Sequence, residues 1–270
     1  MTFDPTLTDG LTRVAHLMAD AARDVILPHF RSVDLAADNK LAGGYDPVTV
    51  ADRDAEAAMR DVLAQHRPDD AILGEELGRK AGTSGLTWVL DPIDGTRGFV
   101  AGTPTWGVLI AVGDDDSGPV IGIVDQPYTA ERFIGTPHGA TLIHKGSTRA
   151  IRTRAPRPLS QAIVFTTFPE VGSAQEGAAF RAVSRSAQLT RYGMDCYAYA
   201  LVAAGQVDLV IEAGLNAYDV QGPIALIHAA GGIVTDWQGG PAHHGGRVIA
   251  AANAAIHAEA LAILQAELAA

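Results

Sequence analysis

The stretch Trp88-Val89-Leu90-Asp91-Pro92-Ile93-Asp94-Gly95-Thr96-Arg97 runs an apolar segment directly into two acids that are separated by two residues. A strand end is a rigid mount for ligands. Pro92 fixes the backbone between the acids, and Gly95 lets main-chain amides come close to an anion. Asp91, Asp94 and the Ile93 carbonyl can therefore face one cation. Oxygen-only ligands suit magnesium or manganese rather than zinc, because no His or Cys stands beside them. Glu75 and Glu76 follow a second short apolar run at Gly74, and Asp219 opens an expected helix. Gathering Glu75, Asp91, Asp94 and Asp219 would concentrate four negative charges, an arrangement that needs metal to neutralise it. Asp-Pro and Asp-Gly are also ordinary turn formers, so the pair by itself leaves a plain turn as the other reading.

These acids must be positioned by the elements around them. Apolar residues at helical spacing, including Val14, Leu17, Met18, Ala21 and Val25, predict a helix from Leu11 to about Arg31. A second helix is expected over 51–65, after a turn at Asp46-Pro47 and before the stop at His66-Arg67-Pro68. Short apolar runs over 71–73, 87–90, 106–112, 120–124, 149–151, 162–166 and 207–211 read as strands. Segments 180–187, 196–204 and 220–230 read as helices. The mixed order predicts layered sheets and helices, with a lobe boundary near 155–159: an N-terminal α+β lobe over 1–155 and a C-terminal α/β lobe over 156–270.

The 270-residue chain is 47% hydrophobic and 19% charged, the composition of a folded globular protein. A formal net charge of −11 argues against electrostatic binding to nucleic acid or an anionic membrane. Phosphate can still be bound where local cations or metal ions invert the field. The single cysteine, Cys196, rules out an intrachain disulfide, and a reducing cytoplasm is the expected location. No basic start followed by an apolar core suggests a signal peptide, and no apolar run is long enough to span a bilayer.

Gly74-Glu75-Glu76, the Asp91 to Thr96 stretch and Tyr218-Asp219 occur in the order found in the inositol monophosphatase superfamily, which the chain resembles over nearly its whole length. The resemblance implies a five-layered αβαβα sandwich of the sugar-phosphate phosphatase type, with the site between two lobes, and a homodimer. It implies that Glu75, Asp91, the Ile93 carbonyl, Asp94 and Asp219 bind two or three magnesium ions, with manganese as a substitute. Asp52 would pair with the catalytic Thr96, and Glu75 and Thr96 would position the attacking water. The implied reaction is hydrolysis of a small-molecule phosphate monoester without a phosphoenzyme intermediate.

Asp94 to Arg97, Trp106 to Ile110, Asp125-Gln126-Pro127, Asp195 to Tyr199 and Tyr218 to Gln221 resemble the histidinol-phosphate phosphatase branch more than inositol phosphatases. Gly98 stands where alanine is usual in that branch, and Met194 where glycine is common. Histidinol phosphate carries an ammonium and an imidazole, which acids such as Asp195 and Glu212 would favour; for an inositol ring the same acids would accept hydroxyl hydrogen bonds. Amides of Gly95 and Thr96 would hold phosphate oxygens if Thr96 opens a helix. Arg97 would pair with phosphate, or is a solvated loop residue. Asp195 has helix capping as its other role, and Glu212 the end of a strand. Lys40 is given a supporting electrostatic role, Glu76 a loop role, and His243-His244 a solvent-facing one. Cys196 is expected to be a small buried residue, and Trp88 and Trp106 to pack the core. Hydrolysis of inositol 1-phosphate and a catalytically silent metal-binding regulator are the competing functions.

Overall fold

The computed structural model describes residues 3–32, 37–39, 47–114 and 117–269. Lys40 and Asp46 lie outside the described residues. Helix α1 (Pro5–Ile26) begins earlier than its apolar stripe suggests, because Asp4 accepts a hydrogen bond from the Leu7 amide and Pro5 opens the first turn. Its buried residues Leu11, Val14, Met18, Ala22 and Ile26 form one face. A small hairpin of β1 (Ala37–Asn39) and β2 (Pro47–Thr49) precedes α2 (Val50–His66). Thr49 and Asp52 form a capping box at the start of α2, an arrangement that contributes roughly 1 kcal/mol.

The next strands are β3 (Ala71–Gly74), β4 (Gly78–Lys80) and β5 (Thr87–Asp94), followed by the short helix α3 (Thr96–Ala101). A meander completes the sheet: β6 (Gly107–Asp114), β7 (Gly118–Gln126), β8 (Glu131–Thr136), β9 (Gly139–His144) and β10 (Ser147–Ile151). The eight strands are ordered β10-β9-β8-β7-β6-β5-β3-β4, and only β3 and β5 are parallel neighbours. The chain then continues through β11 (Ile163–Thr166), α4 (Ala174–Ser186), β12 (Leu189–Tyr192), α5 (Asp195–Ala203) and β13 (Leu209–Leu215). It ends with α6 (Ala217–Ala229), β14 (Ile233–Thr235), β15 (Gly246–Ala251) and α7 (Ala254–Ala269). The second sheet is ordered β12-β11-β13-β15-β14.

Helices α1 and α2 cover one face of the large sheet, α5 and α6 fill the space between the sheets, and α4 and α7 cover the far side. The result is the expected five-layered αβαβα sandwich. Three apolar cores hold the layers: Met18, Met59 and Trp88 between α1, α2 and the large sheet, Phe133, Tyr199 and Leu226 on both faces of the α5 and α6 layer, and Phe180, Trp237 and Leu264 between the second sheet and α4 and α7. Trp88 and Trp106 are fully buried, as expected. Helix α6 rests on the large sheet at backbone distance. A Cβ at Gly122 would lie 2.3 Å from the Gly222 carbonyl oxygen, and one at Gly135 would lie 2.4 Å from Leu226 Cα.

Several elements differ from the sequence expectation. Strand β5 continues through Asp91 to Asp94, with a register shift between them, so these acids sit in a bulged strand rather than a plain turn. Strands β1, β2, β4, β8, β9, β12, β14 and β15 and helix α7 have no counterpart in the sequence reading. In β8 the apolar alternation is broken by Arg132, which is buried through ion pairs at 2.7 Å to both Asp125 and Asp20. In α7, alanines and leucines fall on all sides, leaving no stripe to recognise.

Candidate active site

The parallel pairing of β3 and β5 brings their C-terminal ends together. Gly74 pairs with Leu90, and the Glu75 amide donates to the Leu90 carbonyl at 3.2 Å, which sets Glu75 beside Asp91. The two carboxyl groups share a hydrogen bond. Asp91, Asp94 and Asp219 form a cluster in which one oxygen from each lies within 4.8 Å of the others. Asp219 arrives on the first turn of α6, where its Oδ2 also accepts the Asn216 amide at 2.6 Å. Asp94 Oδ2 accepts the Cys196 amide at 2.7 Å, tying the start of α5 to β5.

Burial, then the charges of Glu75, Asp94 and Asp219, hold the Asp91 carboxyl well above the usual range. Burial, then Asp195 and Asp219, do the same to Asp94. Carboxylates packed this way repel one another and shed charge by binding protons, unless a cation replaces the protons. The donors are all oxygen, so a hard divalent cation fits the cluster. His243 and His244 lie apart from it; their rings are 4.2 Å from each other, and His244 is exposed.

Thr96 opens α3 directly after Gly95, whose φ of 81° is the left-handed conformation that glycine adopts without strain. The Thr96 hydroxyl lies 3.0 Å from the Ile93 carbonyl and 3.5 Å from Asp52 Oδ1. With one hydrogen to give, it donates to Ile93, and Asp52 stands as the second acceptor. Asp52 is fully buried, with its other oxygen bound by the Thr49 amide at 2.8 Å and hydroxyl at 2.6 Å. Burial raises its carboxyl above the ordinary value.

A cleft of about 310 Å³ lies over the cluster. Glu75, Asp91, Ile93, Asp94, Gly95, Thr96, Arg97, Asp195, Glu212 and Asp219 all line it, whereas Asp52 stands behind Thr96. Asp195 is no helix cap: it is the first residue of α5, with φ 45°, and α5 has no side-chain cap. Glu212 does not end its strand, since β13 continues to Leu215. Its oxygens accept from the Thr167 amide at 2.9 Å and the Tyr199 hydroxyl at 2.7 Å. Arg97 stacks on Phe168, 4.9 Å from the ring centroid, and its charge also draws down the Asp195 carboxyl. A methyl group at Gly98 would lie 2.8 Å from Thr105 Oγ1, so the small residue fits a crowded turn. Cys196 is buried, and burial pushes its thiol far up, as befits a packing residue.

The sequence reading missed Glu56 and Phe168. Glu56 is fully buried on α2, where it pairs with Arg60 at 2.8 Å and accepts the amides of Glu76 at 2.7 Å and Leu77 at 3.2 Å. It thereby fixes the turn that carries Glu75. The signal was present: Asp52 and Glu56 are spaced i, i+4 on the face that also holds Met59 and Leu63. Phe168 follows the end of β11 in a turn-rich stretch with no motif to mark it.

Burial, then Glu212, raises the Asp195 carboxyl to about 7, against an opposing pull from Arg97. Between pH 3.8 and about 7 the folded protein therefore holds a proton that the unfolded chain has released, so this group's contribution to stability falls as pH rises through that window. Metal-free Asp195→Asn should melt higher than metal-free wild type at about pH 8 and lose that advantage by about pH 4. A difference between the two that does not change with pH would remove this charge assignment.

A sequence profile described as the Inositol monophosphatase family matches residues 8–269. The chain is 41% identical to the chloroplastic bifunctional phosphatase IMPL2 of Arabidopsis thaliana, over 87% of this chain and 66% of that protein. It is 33% identical to the histidinol-phosphatase of Streptomyces coelicolor, over 96% of this chain and 98% of that one. The solved structure of an inositol monophosphatase from Zymomonas mobilis superposes with a TM-score of 0.83 at 38% identity, covering 95% of this chain and 98% of that chain. With the acid cluster, the layered fold and a profile match over almost its full length in agreement, the chain belongs to the inositol monophosphatase family.

Proposed function

We propose that the protein is a magnesium-dependent phosphatase that hydrolyses histidinol phosphate to histidinol and phosphate. The observation that carries this reading is the pairing, in one cleft, of an oxygen-only acid cluster with two further carboxylates, Asp195 and Glu212. The first group is suited to a cation that faces phosphate. The second is suited to the ammonium and imidazole of the leaving group. Similarity to the Streptomyces coelicolor histidinol-phosphatase over nearly both chains supports the choice.

In this reading Asp91, Asp94, Asp219, Glu75 and the Ile93 carbonyl hold the magnesium, which when bound lowers the pKa of a water and screens the phosphate charge. The Thr96 hydroxyl, its hydrogen given to the Ile93 carbonyl with Asp52 as the second acceptor, would orient that water by accepting one of its hydrogens, and the Glu75 carboxylate would take up the proton the water releases. The Gly95 and Thr96 amides, at the start of α3, bind phosphate oxygens, and Arg97 pairs with the phosphate. No side-chain nucleophile is required. The expected assembly is a homodimer of protomers with lobes over 1–155 and 156–270.

A polyol ester such as inositol 1-phosphate is the second reading, supported by similarity to the Zymomonas mobilis enzyme; Asp195 and Glu212 would then accept hydroxyl hydrogen bonds. Phosphate release from both esters, with magnesium and with EDTA, separates the two. The expected result is EDTA-sensitive release with a preference of at least about tenfold in kcat/KM for histidinol phosphate, equivalent to roughly 1.4 kcal/mol. A preference for inositol 1-phosphate would move the substrate assignment to the second reading. No release from either would dismiss both.

A further inference from the structure

Phe168 stands at the mouth of the cleft with 46% of its surface exposed, so its ring is open to whatever occupies the cavity it lines. Loose backbone does not account for it. The Thr167 amide donates to Glu212 Oε1 at 2.9 Å, the Gly193 amide donates to the Thr167 carbonyl at 3.0 Å, and the Val171 amide donates to the Phe168 carbonyl at 3.3 Å. An anchored turn therefore holds the ring out beside the cavity. From the other wall, the Arg97 guanidinium of α3 reaches to 4.9 Å from the ring centroid.

A phenyl face attracts cations and flat rings and gives hydroxyl groups no hydrogen-bond partner. Asp195 and Glu212, which line the same cleft, favour positive charge. We propose that Phe168 is a specificity-determining residue: its ring is the wall against which an amine- or imidazole-bearing leaving group packs, and it selects such esters over polyol phosphates. The assignment rests on the histidinol phosphate reading and names the group that would impose it. The Glu212 carboxylate sets the Thr167 backbone and thereby couples the acidic and the aromatic parts of that recognition.

The test is steady-state kinetics of wild type, Phe168→Ala and Phe168→Tyr on histidinol phosphate, with inositol 1-phosphate measured as substrate or competing inhibitor. The exposed position makes Phe168→Ala compatible with folding, which a melting curve checks. Phe168→Ala should raise KM for histidinol phosphate about fivefold to tenfold with kcat within about twofold, and Phe168→Tyr, which keeps the ring, should restore it. Binding of inositol 1-phosphate should stay within about twofold. If wild type prefers histidinol phosphate and Phe168→Ala leaves its KM unchanged, the Phe168 assignment fails alone. Equal losses on both esters would make the ring a prop for Arg97 and also overturn it. A wild-type preference for inositol 1-phosphate would overturn the substrate reading and this assignment together.

Discussion

Asp94→Asn should cut turnover by about three orders of magnitude or more while the protein stays folded. Loss of a charge that, in the proposed mechanism, would face the magnesium and the developing phosphoryl charge removes stabilisation at the reacting centre. The fold should survive because the asparagine carbonyl can still accept the Cys196 amide, which Asp94 Oδ2 now takes at 2.7 Å. Stability should move the opposite way to activity. Asp94 is half-buried and faces the charges of Asp195 and Asp219, so the metal-free variant should melt higher than metal-free wild type. Magnesium should raise the melting temperature of wild type through binding to the native state, and do so far less for the variant. Phosphate release at saturating magnesium, with melting curves with and without the ion, measures both effects. Turnover near that of wild type would dismiss Asp94 as a ligand.

Gly122→Ala should cost about 2–4 kcal/mol of stability and most of the activity, although Gly122 lines no part of the cleft. Its added Cβ would lie 2.3 Å from the Gly222 carbonyl oxygen and 2.9 Å from Ala225 Cβ. The first obstacle is main chain and cannot swing aside, so α6 must lift from the sheet. Asp219 rides on the first turn of that helix, while Asp91 and Asp94 stay on β5. A displacement of about 1 Å between catalytic groups is enough to cost about a hundredfold in rate. Urea titration and kcat should therefore fall together, and a stable Gly122→Ala enzyme with full kcat would show that α6 and the sheet can part without disturbing the ligands.

The core of the acid cluster was legible in sequence because its chemistry is local. Asp91, Pro92, Ile93, Asp94, Gly95 and Thr96 form one strand-to-helix transition, and the residue types state both the bend and the donors. Glu75 and Asp219 were legible through the family resemblance, and the structure places Asp219 within the cluster and Glu75 against Asp91. What escaped was set by distant partners. Strand β8 carries a buried arginine that makes sense only beside Asp20 and Asp125, from α1 and β7. Glu56 reads as a surface helix acid until the turn after β3 folds onto it. Phe168 acquires meaning only when Arg97 arrives from the other side of the cleft. Asp195 could not be told from a cap, because its left-handed backbone and its close approach to Gly95, where an added Cβ would lie 2.9 Å from the Asp195 side chain, are not written in the local sequence.

The order in which the chain builds its layers also bears on kinetics. Asp91 and Asp94 belong to a sheet whose last strand ends at Ile151, yet the third member of the cluster lies on α6, which follows β11, β12 and β13 of the second sheet in sequence. Closing that long chain separation is entropically slow, so the mutual repulsion of the acids is met late, after most of the apolar surface has been buried. A cation bound there grips contacts that are absent from the earlier stages of assembly. Such a cation would act as a brake on unfolding rather than as a spur to folding, which unfolding and refolding rates with and without magnesium would test.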